Sequence, residues 1–197
     1  MQIVRSGLHR TDSKATVAPV HEPESNGLMS RRRKRAEADI RVLLEAWHSL
    51  RADGEDVPLW SKFDPVLCFP HLVGHLFVLA LEPSGSWRVR LVGSSLRGAL
   101  TNGAGKLMEE IYPPHVMQIF TPRLAELATK RRPMQIRQAS AYDRVLHSLG
   151  VVLPFHQGDF LVTRIASATF YLDEFHPAGP LHAMSSEVET PAHDLVE

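Results

Sequence analysis

Six consecutive apolar residues, Leu76 to Leu81, constrain the fold more than any other stretch of the chain. A short apolar run bounded by turn residues is typical of a strand that is buried on both faces. A turn at Pro83-Ser84-Gly85-Ser86 follows, and Trp87 to Val92 then alternates apolar residues with two arginines. We therefore predict a β-hairpin whose second strand has one core face and one wetter face.

Three more strands are predicted in the C-terminal half, at residues 134–142, 145–153 and 160–172. A two-residue turn at Asp143-Arg144 would join the first two of them, although this is not a favoured turn sequence. The register therefore depends on hydrophobic matching, and a slip of one residue would move every side chain to the other face. The expected pairs are Met134 with Leu153, Ile136 with Val151, Gln138 with Leu149, and Ser140 with His147.

An amphipathic helix is predicted at residues 36–52, because apolar residues recur there at spacings of three and four. Its apolar stripe could cover the outer face of the chain's own sheet or pair with a second copy of the chain, and the two need not exclude each other. The residues expected at a dimer or partner interface are Ile40, Leu43, Leu44, Trp47 and Leu50.

A further helix is predicted over residues 114–132, with Val116, Phe120, Leu124 and Leu127 on one side. Pro122 removes a helix hydrogen bond and is expected to kink or split it. Upstream, Asp64-Pro65 has the residue types of a helix start, an N-cap carboxylate followed by proline at the first helical position.

The two ends of the chain differ from its middle. Residues 1–34 are rich in Ser, Pro, His and Arg without periodic apolar positions, so we expect a disordered basic arm. Its last residues, Arg31 to Arg35, could contact phosphate or an acidic membrane surface, or could be a solvated charge run at a helix entrance. Residues 175–197 are expected to form a flexible acidic tail, which leaves residues 35–174 as the folded domain.

Charge and composition exclude several classes of protein. The net charge is zero because residues 1–35 carry eight Lys/Arg against three Asp/Glu, whereas residues 176–197 carry four acids and no Lys or Arg. A near-neutral core lacks the basic surface of a nucleic-acid binder. We expect no membrane span, no secretory signal and, with Cys68 as the single cysteine, no intramolecular disulfide. These features predict a cytoplasmic protein.

Candidate chemical motifs are weak. His71 and His75 are four residues apart, and His115 begins a predicted helix, but no acidic or cysteine partner stands at ligand spacing, so we predict no metal site. Gly93-Ser94-Ser95-Leu96 lacks the second glycine of a nucleophile elbow, and residues 98–106 do not match a phosphate-binding loop. We assign no catalytic residue and expect that the protein is not an enzyme.

A ligand pocket is predicted on the inner face of the sheet. The expected register places Gln138, Ser140 and His147 there near Tyr142, and ligand pockets are largely apolar with a few convergent polar groups. Alternatively, these polar side chains satisfy one another across the strand pair. The expected ligand-binding residues are Leu91, Phe120, Leu124, Gln138, Ser140, Tyr142 and His147.

The order helix, two strands, helices, three strands resembles a PAS domain, in which a five-stranded antiparallel sheet and helices on one face enclose a small-molecule pocket. More specifically, roughly residues 37–172 resemble a family of stand-alone PAS-like proteins of alphaproteobacteria. The matching segments are Leu43-Leu44-Glu45-Ala46-Trp47 with Leu50-Arg51, Pro58, Asp64-Pro65, Leu76 to Leu81, Trp87 to Gly93, Gly105-Lys106 and Val152-Leu153-Pro154.

The resemblance implies an α+β fold and a sensory or dimerisation role, often in two-component or cyclic-dinucleotide signalling, and it implies no particular ligand or cofactor. We expect a non-catalytic module that binds an unidentified small molecule and a signalling protein, and that forms a homodimer. No flanking stretch is long enough for a kinase, cyclase or DNA-binding segment, so output would pass through a separate partner. Two alternatives stay open. One is an interaction adaptor with a closed core, and the other is an enzyme on a related cone-shaped fold, for which His147 is the available base.

Overall fold

The central element of the structure, a computed structural model that describes residues 24–96, 103–141, 145–159, 161–173 and 183–189, is one antiparallel sheet. Its six strands lie in the order β2-β1-β5-β4-β3-β6. They are β1 (Leu76–Leu81), β2 (Trp87–Val92), β3 (Met134–Ala141), β4 (Val145–Phe155), β5 (Arg164–Tyr171) and β6 (Ala183–Glu189).

All five predicted strands belong to this sheet. β1 pairs with β2 on one side and with β5 on the other, so the N-terminal hairpin and the last three predicted strands form one layer. The predicted antiparallel α+β sheet is confirmed. β1 lies inside the sheet and is covered on both faces, which explains why five of its six residues are buried.

The sixth strand corrects the prediction for the C-terminal tail. Residues 183–189 were predicted to be flexible, but they pair antiparallel with β3, from Gln135 opposite Glu189 to Ala141 opposite Ala183. This segment has little apolar patterning, and so it carries no strand signal. It pairs because β3 would otherwise be an edge strand with unpaired backbone donors and acceptors.

The register between β3 and β4 differs by one residue from the prediction. Gln138 lies opposite Ser148 instead of Leu149, and Ser140 lies opposite Leu146 instead of His147. Three residues, 142–144, separate the paired ends Ala141 and Val145, whereas the prediction assumed a two-residue turn. Hydrophobic matching could not choose the register because both faces of β4 are buried over most of its length.

A β-bulge in β2 changes the predicted face of Leu91. Leu79 pairs with Val89, but Val78 pairs with Leu91, so the register shifts between these two pairs. The extra residue, Arg90, moves Leu91 to the opposite face of the sheet from Val89. Strict alternation along Trp87–Val92 was therefore the wrong pattern at this point.

Helix α1 (Glu24–Ser49) covers one face of the sheet, which we call the outer face. Leu43 and Trp47 are completely buried, and Trp47 Nε1 donates a hydrogen bond to the carbonyl oxygen of Pro154 in β4 at 2.7 Å. Ile40 is also buried, while Leu44 and Leu50 pack against the same core from half-buried positions. The stripe predicted as an interface is therefore packed against the chain's own sheet.

Helix α1 also begins earlier than the sequence predicted. Residues 24–34 belong to the helix rather than to a disordered arm, and residues 1–23 lie outside the described residues. Arg and Lys are good helix formers, and Arg33 forms an i,i+4 ion pair with Glu37 at 3.1 Å. Arg32 donates to the carbonyl oxygen of Asp173 just beyond β5, which fixes this part of the helix to the domain.

An aromatic cluster extends the outer layer beyond α1. The ring of Phe155 lies 4.8 Å from that of Phe63 and 5.2 Å from that of Trp60. The short helix α2 (Pro65–Cys68) follows Phe63 along the chain, and at its start the Asp64 carboxylate accepts the backbone N–H groups of Val66 and Leu67. The predicted helix start at Asp64-Pro65 is confirmed.

The opposite, inner face is covered by helices α3 (Met108–Ile111) and α4 (Pro114–Lys130). Val116, Leu124 and Leu127 of α4 are buried, as their spacing predicted, and Phe120 is half-buried. The helix continues through Pro122, whose ring is exposed, so the predicted alternative of two separate helices is wrong.

Candidate ligand-binding cavity

A cavity of about 120 Å³ lies between the inner face of the sheet and helices α3 and α4. Its floor consists of apolar side chains from four strands, and its roof of apolar and aromatic side chains from α3, α4 and the segments that precede them. The floor residues are Phe77, Leu79, Met134, Ile136, Val152 and Ile165. The roof residues are Leu96, Met108, Tyr112, Phe120, Leu124 and Leu127.

Polar side chains enter this apolar wall in a limited area. Gln138 and Ser140 of β3, and Ser167, Thr169 and Tyr171 of β5, all line the cavity. Most of them lie near the C-terminal ends of β3 and β5, which meet at the same end of the sheet because both strands run antiparallel to β4. The cavity is therefore apolar at one end and polar at the other.

One cross-strand row at the polar end contains Gln138, Ser148 and Tyr171 on three adjacent strands. Ser148 is 1% exposed, and its hydroxyl has no hydrogen-bond partner among the described residues. A buried hydroxyl without a partner costs on the order of 1–3 kcal/mol. This row therefore offers hydrogen-bonding capacity beside the cavity.

Gly150 keeps the middle of the floor open. A Cβ at this position would lie 2.8 Å from the backbone oxygen of Ala168 in β5, closer than real Cβ atoms approach. Both neighbouring strands are fixed by their pairing, so this crowding could not be relieved by movement of a side chain end. A residue without a Cβ is required here, and it leaves space above the sheet.

Four of the seven predicted ligand-binding residues line the cavity: Phe120, Leu124, Gln138 and Ser140. Leu91 does not, because the bulge turns it to the outer face. His147 does not either, because the one-residue shift in register places it opposite Ala139, on the face away from Gln138. Tyr142 lies outside the described residues.

His147 instead belongs to a surface contact at the start of β4. Its side chain is 55% exposed, and its Nδ1 lies 3.7 Å from a carboxylate oxygen of Asp173. The same carboxylate accepts the backbone N–H of His147, and Leu172 N donates to His147 O at 2.9 Å. These contacts join the start of β4 to the segment after β5.

Several residues that line the cavity were not predicted from the sequence, including Arg123, Ser167, Thr169 and Tyr171. The last three alternate with Ala166, Ala168 and Phe170, which are buried on the outer face. This period-two pattern in β5 was a usable signal for a polar inner face. Arg123 had no such signal, because a single arginine on a helix normally faces solvent.

The histidines singled out as possible metal ligands have other surroundings. His75 Nδ1 lies 3.2 Å from the backbone oxygen of Thr169, and its ring stacks at 4.8 Å from that of Phe170. His71 is largely exposed, with Nε2 4.0 Å from Asp39, and His115 is exposed at the start of α4. Within the described residues, no three His, Cys, Asp or Glu side chains come close enough to hold a metal ion.

An ionic cluster occupies the end of the first hairpin, apart from the cavity. One carboxylate oxygen of Glu82 accepts from Arg88 Nε at 2.9 Å and from Arg90 Nη2 at 3.1 Å. Burial lowers the pKa of the nearby Arg164 guanidinium, the charge of Arg90 lowers it further, and Glu82 opposes both effects. Glu82 is therefore the anionic partner of Arg88 and Arg90, and its charge also favours the protonated form of Arg164.

No protein-family model, curated protein or solved structure matches the chain. In the described part of the chain, no helix has the length and apolar character needed to cross a membrane.

Proposed function

We propose that the chain is a PAS-like regulatory module of the cytoplasm. It binds a small molecule in the cavity between its sheet and α4, and a signalling partner distinguishes its bound form from its free form. The arrangement supports this reading. The chain runs through an N-terminal helix, a hairpin, a helical segment and three strands, in the order that the resemblance implied. The hairpin and the three strands lie in one antiparallel sheet, to which β6 adds a sixth strand, and helices cover its cavity face.

The cavity is the observation that carries the proposal. Close-packed protein interiors contain few voids larger than a water molecule, so a hollow of about 120 Å³ in the centre of one domain requires an explanation. An apolar wall with a few polar groups gathered at one end is the usual composition of a small-molecule site. Gly150 adds to this, because the floor uses a residue that cannot fill the space.

The lining favours recognition over catalysis. Among the described residues, no Asp, Glu, His or Cys side chain lines the cavity, and these are the usual general acids, bases and nucleophiles. His147, which an enzyme on this fold would have used as its base, lies on the other face of the sheet. A non-catalytic role is therefore the reading that the residues of the cavity support.

A route from the cavity to the surface runs through β4. Val152 lines the cavity, while its neighbours Val151 and Leu153 are buried on the outer face, which α1 covers. A ligand that shifts β4 would alter the surface on which Leu43 and Trp47 pack, because tightly packed layers transmit displacement. A ligand can act as a signal only if it binds one of two such arrangements more tightly than the other.

The outward side of α1 is then the expected contact for a partner protein or for a second copy of the chain. Leu28 and Val42 lie there with 41% of their surface exposed, whereas the stripe with Leu43 and Trp47 is occupied by the sheet. A homodimer is part of the proposal only through this outward side.

Native mass spectrometry of freshly purified protein, together with thermal shift across a panel of small metabolites, tests the proposal. We expect a retained small molecule or stabilisation by at least one compound. Ile136→Phe, which enlarges a cavity wall residue, should abolish the shift, whereas Val145→Phe, at a 56% exposed position, should leave it unchanged. No retained molecule and no stabilisation by any compound would instead favour an adaptor with a closed core.

A further inference from the structure

We propose that the outward side of α1 also binds an anionic membrane surface through its basic side chains. This inference goes beyond the proposed function, because it adds a lipid partner and does not depend on the cavity or its ligand. The surface concerned, which we call the basic face, consists of four exposed residues of α1: Arg31, Lys34, Arg35 and Arg41.

The four residues of the basic face lie on one side of the helix. Arg31 is three residues from Lys34 and four from Arg35, and Arg41 follows Lys34 by seven. Residues at these spacings share one side of an α-helix, and at 1.5 Å per residue they extend over about 15 Å. The opposite side of the same helix holds Trp47 against the sheet. The basic face is therefore directed away from the domain.

The charge of the basic face is not neutralised within the described part of the chain. None of its four side chains forms an ion pair there, whereas Arg33 beside them pairs with Glu37 at 3.1 Å. Glu45 is the one acidic residue of the described helix that shares this side. Arg31 and Arg35 also stand at i,i+4, a spacing at which like charges destabilise a helix. An anionic surface would relieve that repulsion.

Exposed aliphatic side chains favour a membrane over a nucleic acid as the anionic partner. Leu28 and Val42 lie on the same side of α1 as the basic face, and each is 41% exposed. Aliphatic groups gain free energy by entering the boundary between lipid headgroups and acyl chains. Binding to nucleic acid depends on phosphate contacts and on aromatic stacking, and Trp47, the one Phe, Tyr or Trp of the described helix, is buried. Four or more Lys and Arg residues on an amphipathic helix are typical of a segment that binds anionic lipid.

The packing of α1 fixes the orientation of the basic face. Met29 packs against the core, and Arg32 donates to the carbonyl oxygen of Asp173, so the N-terminal half of the helix is attached to the domain. α1 covers the outer face of the sheet, whereas α3 and α4 cover the inner face. A domain bound to lipid through the basic face would therefore keep the cavity turned away from the bilayer.

Sedimentation of the full-length protein with phospholipid vesicles tests the inference. Anionic vesicles contain phosphatidylcholine with about 30% phosphatidylglycerol, and neutral vesicles contain phosphatidylcholine alone. Each Lys or Arg near an anionic surface strengthens binding roughly fivefold, so we expect the anionic vesicles to be bound at least about tenfold more tightly. Salt at about 0.5 M should release the protein, because it shortens the screening length to below about 5 Å.

Substitutions in pairs connect this binding to the basic face. Arg31→Gln with Arg35→Gln should weaken binding to anionic vesicles roughly 25-fold, since two cations are lost. Arg31→Lys with Arg35→Lys keeps both charges and should bind like the wild type. The matched control, Lys106→Gln with Lys130→Gln, removes two charges from exposed positions outside α1 and should change binding by less than about twofold. A circular dichroism melt of each variant establishes that it is folded.

The contribution of the aliphatic side chains separates a membrane from a nucleic acid. Leu28→Gln with Val42→Gln should weaken binding to anionic vesicles roughly tenfold by removing the side chains that enter the lipid. Duplex DNA at the same phosphate concentration is the second probe, and we expect weaker binding to it than to the anionic vesicles.

Three results would overturn the inference. One is equal binding to anionic and neutral vesicles, and another is normal vesicle binding by the variant with Arg31→Gln and Arg35→Gln. The third is tighter binding to duplex DNA than to anionic vesicles, which would assign the basic face to nucleic acid. Each result leaves the proposed function standing, because the test of the cavity uses small molecules and no lipid.

Discussion

Replacing Leu43 by alanine tests whether α1 is part of the domain core. Leu43 has no exposed surface and lies in the helix stripe that packs on the outer face of the sheet. The substitution removes the equivalent of three methylene groups, worth roughly 2.4 kcal/mol of transfer free energy at about 0.8 kcal/mol each. With the cavity term, we expect a loss of about 2.5–5 kcal/mol in the free energy of unfolding.

Urea unfolding followed by circular dichroism measures this loss. For an unfolding slope of about 2 kcal/mol per molar urea, the midpoint should fall by roughly 1.2–2.5 M. Val42→Ala is the matched control, because Val42 is next to Leu43 on the same helix and its side chain is 41% exposed. We expect its free energy of unfolding to change by less than about 0.5 kcal/mol.

Two results would refute the reasoning. One is a loss below about 1 kcal/mol for Leu43→Ala, since a completely buried leucine cannot be truncated so cheaply in a packed core. The other is an unfolding midpoint that rises with protein concentration in the wild type but not in Leu43→Ala, because that difference would mean that Leu43 is buried by a second copy of the chain.

Three further substitutions give distinct stability predictions, each measured by urea unfolding. Gly150→Ala should destabilise by about 1–3 kcal/mol because its Cβ would press on a backbone oxygen of β5, whereas Gly27→Ala, with open space around it in α1, should stabilise by up to about 1 kcal/mol; equal effects would contradict the crowding argument. Trp47→Phe should cost about 1–3 kcal/mol because the Pro154 carbonyl loses its indole donor, and a neutral result would mean that this bond contributes nothing. Glu82→Gln should cost about 1–2 kcal/mol by removing the carboxylate shared by two arginines, and an unchanged midpoint would show that the cluster is fully solvated.

The elements predicted correctly from the sequence are those whose pattern of apolar and polar residues fits only one arrangement of buried and exposed faces. Leu76 to Leu81 has one interpretation, a strand buried on both faces, and β1 has these same bounds. The spacing of Val116, Leu124 and Leu127 likewise fixes the buried side of α4. In such segments the hydrophobic pattern is determined by burial alone, so it can be read without knowing the neighbours.

The predictions failed where pairing or packing had to choose between equivalent patterns. β4 is buried on both faces, so matching its apolar residues to β3 left two registers open and misplaced His147. Leu91 was misplaced by the bulge at Arg90, which adds one residue without any glycine or proline to mark it. β6 depends on the free edge of β3, a property of the assembled sheet and not of its own residues.

The cavity itself was only partly predictable. Gln138 and Ser140 stood out because they are polar residues within a strand pattern, and Phe120 and Leu124 because of helical spacing. Arg123 could not be identified, since only the packing of α4 over the inner face of the sheet brings it to the cavity. Long-range placement of this kind is set by tertiary packing, which local sequence patterns do not encode.

Methyl-resolved NMR of the protein under xenon pressure tests the hollow between the sheet and α4 most directly, since xenon enters apolar cavities without needing a specific ligand. We predict pressure-dependent shifts for the methyl groups of Met108, Met134, Ile136 and Ile165, which line the cavity, and none for Ile40, which is buried in the outer layer. Unchanged signals from all four cavity residues would show that the protein fills this space with its own side chains. Shifts of equal size at Ile40 would show that the response is not specific to the cavity. Either result would contradict the account.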